Sequence, residues 1–232
     1  MIIKGLLEPL IRMLLKRIIK SIVGRGGYSV ILNSKLGIII HDRLHAPSST
    51  SRDFLLQSLP KFSIGVEIGV NDGDFSERIL EIVMPKKLHL IDPWKFENDQ
   101  LYDNTPYGKG SVMSQEMMDK KYTNVQNRFK VEIQKNKLDV HRGFSEDILS
   151  RFNDSYFDWA YIDGNHLYEF VKKDLILCIK KVKTGGIIAG DDYYEGGWCD
   201  GGVKKAVDEF INMNSLKLIE TKNNQFVLQK LI

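Results

Sequence analysis

The sequence predicts an α/β fold: a doubly wound, seven-stranded, mostly parallel sheet with an antiparallel last strand. Three observations predict it. From Ser63 onward, short apolar runs alternate with segments of helical periodicity, which is the pattern of strands joined by crossover helices. Four of those runs end on carboxylates. The last two runs are joined by Asn223-Asn224, a hairpin turn signal that reverses the chain direction.

The chain has 232 residues, 43% hydrophobic and 27% charged, a composition of globular rather than disordered or fibrous proteins. Thirty-three basic against 30 acidic residues leave +3, which excludes a general polyanion binder. The excess is local. Residues 1–25 carry Lys4, Arg12, Lys16, Arg17, Lys20 and Arg25 against Glu8 alone. Ile3, Leu7, Leu10, Leu14, Ile18 and Ile22 recur there at spacings of three and four, so a basic amphipathic helix is expected, kinked early by Pro9. Its charges interrupt any apolar window of the ~18 residues that a spanning helix needs, and their spread does not fit a signal peptide. Packing on the domain or on a second subunit is the expected role, with peripheral contact to an anionic membrane as the alternative. Gly24, Gly26 and Gly27 close the helix, and Pro47 to Ser51 reads as a linker. The chain therefore divides into an arm and linker, residues 1–52, and a domain, residues 53–232. Cys178 and Cys199 lack zinc or disulfide-framework spacing, and a reducing cytoplasm is expected.

Within the domain, the first strand is Ile64 to Gly69, followed by the turn VNDG and a helix over FSERILEIV, with Asp74 as cap and Glu77 completing a capping box. The second strand is LHLID, closing at Asp92, and the third is LDVHR after Lys137. FDWAYID forms the fourth, ending at Asp163. GGIIAG forms the fifth, running into Asp191 and Asp192. A helix from about Val203 to Met213 precedes the strands LKLIET and QFVLQK.

Ligands of open α/β sheets sit beyond the carboxyl ends of the strands, where strand order reverses. Glu67, Asp92, Asp163, Asp191 and Asp192 fall at those ends. Gly69 and Gly73, with Asn71 between, let the backbone approach a ligand closely, but GVNDG is not the GxGxxG of a pyrophosphate binder. Glu67 would repel a pyrophosphate and attract an ammonium, while Asp92 can accept from ribose hydroxyls. These pieces suit a nucleoside carrying a cationic amino-acid tail.

The segments VEIGVNDGDFSERIL, LHLIDPW, GFSEDI and YIDGNHLYEFVKKDLILCIKKVKTGGIIAGDDY together resemble the class I S-adenosylmethionine-dependent methyltransferases over about residues 60–230. The nearest branch is that of the metal-dependent macrolide-sugar and bacterial glycan O-methyltransferases. Asn71 departs from the family, many of whose members have glycine there. The resemblance implies S-adenosylmethionine as cofactor, with Glu67, Gly69 and Gly73 at its methionine end, Asp92 at the ribose and Ser145 at the adenine. Asn71, Phe75, Ser76 and Asp163 complete the implied cofactor set.

A sugar hydroxyl is protonated at neutral pH and must be acidified before it accepts a methyl group. A divalent cation does this by polarisation. Mg2+ prefers oxygen ligands, and Asp163, Asp191 and Asp192, from two adjacent strand ends, offer three, leaving positions for a vicinal diol. The resemblance places its metal acids at these same positions. His166, three residues beyond Asp163, stands where a general base is needed, and Asp163 and Asp191 are expected to share in catalysis. The plainer roles are a helix cap for His166 and turn hydrogen bonding for the Asp pair.

Between Asp92 and Asp139 lie 46 residues, more than a simple crossover needs. The segment WKFENDQLYDNTPYGKG reads as a lid whose Trp94, Tyr102 and Tyr107 stack on sugar or cover cofactor. Met113, Met117 and Met118 begin the next helix as core residues, and Trp198 in YYEGGWCDGG forms a second wall. The expected function is O-methylation of a sugar hydroxyl in a glycan or glycosylated metabolite, with no nucleic-acid partner and a homo-oligomer allowed. Three alternatives are a catechol-type O-methyltransferase, a cephalosporin hydroxylase-like protein, for which no His-x-Asp iron pair is visible, and a non-catalytic membrane-associated binding protein.

Overall fold

The computed structural model describes residues 52–96, 114–197 and 199–231. The basic arm, Tyr102, Tyr107, Met113 and Trp198 lie outside the described residues. Helix α1 (Asp53–Ser58) leads into β1 (Ile64–Ile68), α2 (Asp74–Ile82) and β2 (Lys87–Asp92). Then follow α3 (Gln115–Arg128), α4 (Lys130–Gln134), β3 (Leu138–Arg142), α5 (Ser145–Leu149), β4 (Phe157–Ile162), α6 (Tyr168–Lys181) and β5 (Val182–Gly190). Helix α7 (Gly202–Asn212) and the hairpin β6 (Leu216–Lys222) and β7 (Gln225–Lys230) finish the domain.

The seven strands run in the order β3-β2-β1-β4-β5-β7-β6, with β7 antiparallel to both its neighbours. The predicted fold class holds. β1 and β4 are buried along nearly their whole length because helices cover both faces of the sheet. One face packs Val66, Ile68 and Ile188 against α6 and α7. The other packs Leu88, Leu90, Trp159 and Tyr161 against α1, α2 and α3. Asn223 and Asn224 both take positive φ, 53° and 62°, as the hairpin turn requires.

Strand order reverses between β1 and β4, and the residues after β1, β3, β4 and β5 are each held by a carbonyl at the end of a neighbouring strand. Gly69 N–H donates to Ile91 O (2.9 Å), Asp163 N–H to Ile68 O (2.8 Å), Asp191 N–H to Ile162 O (3.2 Å) and Gly143 N–H to Asp92 O (3.0 Å). The sheet ladder therefore fixes the backbone of the acidic residues before their side chains engage anything.

Four local expectations are corrected. The capping box is absent: Gly73, at φ 81°, is the helix cap and makes no side-chain bond, while Asp74 and Glu77 both accept from Arg128 (2.6 and 2.8 Å). The glycine pair read as the start of the fifth strand sits within it, at a register shift between Phe157↔Val182 and Trp159↔Ile187. Of the helix-opening methionines, Met118 is buried but Met117 is exposed. Trp94 is 1% exposed and packs on Tyr122, with its indole N–H donating to Asn71 O (2.9 Å). It braces the glycine turn and is not free to stack on a sugar ring, although it does line the cavity in which a cofactor is expected.

Gly69 has φ 88°, and a Cβ built there would lie 2.0 Å from the Asp163 carbonyl oxygen. Both the dihedral and the contact exclude a side chain. Gly69→Ala is expected to destabilise the domain by about 2–3 kcal/mol, read as a lowered urea midpoint with unchanged slope.

Candidate active site

At the carboxyl edge of β1, β2 and β4 lies a cavity of about 520 Å³, within the range of ligand sites of roughly 300–1,000 Å³. Gly69, Asn71, Asp92, Ser145, Asp163 and His166 line it. The sheet thus brings to one cavity residues spread over nearly a hundred positions of sequence. Glu67, Gly73, Phe75, Ser76, Asp191 and Asp192 are not in its wall.

The Asp92 carboxylate organises the turn after β1. Its Oδ2 accepts from the N–H groups of Val70 (2.9 Å) and Asn71 (3.0 Å), and its Oδ1 from that of Trp94 (2.7 Å). Each carboxylate oxygen has two lone pairs, so Oδ1 retains one toward a ligand. Glu67 is 1% exposed and accepts from the Ser76 hydroxyl (2.6 Å). Burial pushes its pKa up to about 8, partly offset by that hydrogen bond, so the carboxyl is mostly protonated at pH 7. Phe75 packs on Tyr161, ring centroids 4.2 Å apart, beneath the Arg52 guanidinium.

The three strand-end aspartates converge, and two cations knit them together. Arg52 donates to Asp163 Oδ2 (2.7 Å), pairs with Asp191 Oδ2 and reaches the Tyr161 hydroxyl (3.2 Å). His166 Nδ1 lies 3.0 Å from Asp192 Oδ2, and its Nε2 lies 3.5 Å from Asp163 Oδ1. The order along this chain of charges is Asp191, Arg52, Asp163, His166, Asp192. Burial opposes the His166 cation, but its two carboxylate partners prevail and raise its pKa to about 10. Asp191 is pushed up by burial against the pull of Arg52, while the His166 hydrogen bond holds Asp192 below the usual carboxylate range. Ligand atoms of Asp163, His166 and Asp192 lie within 4.8 Å of one another, the spacing of a cation site. Asp191 stands beside them, engaged by Arg52.

Two features were missed from sequence. Arg52 is 111 residues from Asp163, and nothing around it marks its target. Asp174 lines the cavity at 5% exposure and accepts from the Ser145 hydroxyl, with burial raising its pKa to about 6. Its signal was present: an acid on the apolar stripe of Val171, Leu175 and Cys178. Phe144 and Phe170 also line the cavity and expose large apolar surface, 44% and 43%.

A family model described as a methyltransferase domain matches residues 66–193. The O-methyltransferase from Bacillus cereus in complex with SAH superposes with a TM-score of 0.54 at 12% identity, covering 94% of this chain and 97% of that one. A protein from Clostridium thermocellum assigned as an rRNA methylase gives 0.53 at 13% identity, covering 79% and 95%. At such identities the likeness is one of fold. No curated protein matches the chain.

Glu67 supplies a test of the buried site. Its folded pKa is raised, so the folded state binds more protons than the unfolded state between pH 4.5 and about 8, and stability falls as pH rises through that window. Glu67→Gln removes this term. The stability of wild type minus that of the variant, from urea melts at pH 5, 7 and 8.5, is expected to decline with pH. A flat difference would mean that the carboxyl is already ionised at pH 5.

Proposed function

The chain belongs to the methyltransferase-domain family, and from that premise we propose that it is an S-adenosylmethionine-dependent O-methyltransferase acting on a sugar hydroxyl of a glycan or glycosylated metabolite. One observation carries the reading: a cavity of nucleoside size at the strand-order reversal opens onto Asp163 and His166, the inner members of an acidic cluster. Asp92 Oδ1 is assigned to the ribose, Ser145 with Asp174 to the adenine end, and the turn from Gly69 to Gly73 to the amino-acid tail. Glu67 lies below that turn, and an ammonium placed above it favours the carboxylate form.

A divalent cation such as Mg2+ fits the donor set in part. Asp163 and Asp192 offer hard oxygens, within 4.8 Å of the His166 nitrogen that is kept for the proton. Asp191 joins them only by exchanging its Arg52 partner. When bound, the cation lowers the pKa of a hydroxyl that touches it. The chain's own residues supply the rest. Asp163 and Asp192 hold the charge, Arg52 offsets the surplus acid, and His166 faces the hydroxyl. As a cation between two carboxylates His166 has no lone pair to give. It accepts a proton once Asp163 and Asp192 engage a positive charge other than its own ring.

A small or glycan acceptor is favoured over nucleic acid, because basic residues at the cavity are balanced: Lys173 stands 3.7 Å from Glu146, and Asp147 lines the same wall. Peripheral membrane contact through residues 1–25, self-association and a cytoplasmic location belong to the same proposal. Among the described residues, no helix is long and apolar enough to cross a membrane.

Two measurements test it. In calorimetric titration with S-adenosylhomocysteine, Asp92→Asn is expected to weaken binding about tenfold, the worth of one charge-assisted hydrogen bond. Unchanged affinity would move the ribose elsewhere. In turnover assays with Mg2+, His166→Gln and Asp192→Asn are expected to lose about 10²- to 10⁴-fold on a vicinal-diol glycoside while retaining nucleoside affinity. Wild-type turnover undiminished by chelator would discard the metal. Methylation of catechols but not glycosides would replace the sugar.

A further inference from the structure

Away from the cavity, the sheet assembles a second cluster. β2 and β3 pair in parallel with His89 opposite Asp139 and Ile91 opposite His141, so the two histidines stand one pleat apart on the same face. Their rings stack, 5.4 Å between centroids and 24° between planes. His89 Nδ1 lies 3.1 Å from His141 Nε2 and 3.6 Å from Asp139 Oδ2, and the three ligand atoms fall within 4.8 Å of one another. We propose that His89, Asp139 and His141 form a binding site for a late first-row divalent metal, Zn2+ or its Co2+ stand-in, that staples β2 to the edge strand β3.

The geometry carries this. Zinc bonds of about 2.0–2.2 Å at tetrahedral angles set adjacent ligand atoms roughly 3.3 Å apart, between the two separations observed. Two imidazoles and one carboxylate are a zinc-type donor set and a poor one for Mg2+, which takes oxygens. Without a metal, the facing ring nitrogens share a single hydrogen. With one, both lone pairs point at the ion. Burial favours the neutral form of both rings, the form that binds metal.

The surroundings match the outer shell of a metal centre on the carboxylate side, whereas the buried Nε2 of His89 has no hydrogen-bond partner among the described residues. Lys87 Nζ donates to Asp139 Oδ1 (2.7 Å) and to Asn136 Oδ1 (2.7 Å), which fixes the carboxylate with Oδ2 toward His89. Phe152 and Phe157 stand edge-on to His89 at 4.9 and 5.7 Å and exclude water. Lys87 and Arg151 are the cations facing the cluster, and they set a limit on affinity. His89 is 3% exposed, while Asp139, 40% exposed on its side chain, gives an ion its route from solvent. Beyond His141 the chain passes through Gly143 to Phe144 and Ser145 in the cavity wall, so metal occupancy steadies one side of the cavity.

The test uses the full chain stripped by chelator and carrying His166→Gln and Asp192→Asn, which disables the other cluster. Co2+ titration is expected to give visible absorption bands that saturate at one equivalent and are displaced by Zn2+, and Zn2+ is expected to raise the melting temperature. His141→Gln and Asp139→Asn, both at half-buried positions, are expected to weaken binding at least 100-fold, beyond the 10–100-fold cost of losing an outer partner. Circular dichroism confirms that these variants fold. Absence of Co2+ binding in the chelator-stripped chain, or binding unaltered by either substitution, overturns the site.

Discussion

Three carboxylates are set side by side at the ends of two neighbouring strands, and they stay together because Arg52 and His166 alternate with them. Asp163 is the shared member, taking Arg52 on Oδ2 and His166 on Oδ1. Like charges this close and half-buried would otherwise drive protons onto one another. The sheet imposes the crowding, since Asp163 and Asp191 are each pinned by a backbone bond to the adjacent strand. The cations make it tolerable. With Glu67 mostly neutral, three negative and two positive charges leave the cluster one unit acidic, a setting that welcomes a positively charged ligand.

The same arrangement bears on how a metal would be held. Asp163, His166 and Asp192 form the compact group, and Asp191 is the residue committed to Arg52. The sequence pattern treats Asp191 and Asp192 as equivalent neighbours, but positive φ at Asp192, 60°, turns the chain between them. Their carboxylates consequently face different partners.

Much of the fold was legible because its signals are local. Strand after strand ended within a residue or two of its expectation, and the acids at strand ends led to the right edge of the sheet. What was illegible is long-range or depends on backbone geometry. Arg52 meets its partners only through the fold. Trp94 looked like an aromatic of a surface loop, yet the turn it braces leaves room for an indole in the core. Asp74 looked like a cap until Gly73, in the left-handed region, took that place. The pairing of His89 with Asp139 and His141 needed the register of β2 against β3, which periodicity does not encode.

The antiparallel hairpin has a kinetic corollary. β6 comes earlier in the chain than β7 but lies outside it, and among the described residues its only sheet neighbour is β7. Until β7 has formed, β6 lacks that partner, and β5 presents an unpaired row of backbone N–H and C=O groups where β7 will dock. Assembly at this end therefore runs against the direction of synthesis. The nascent chain carries an unfinished seam that is open to mispairing until its last strand slots inward.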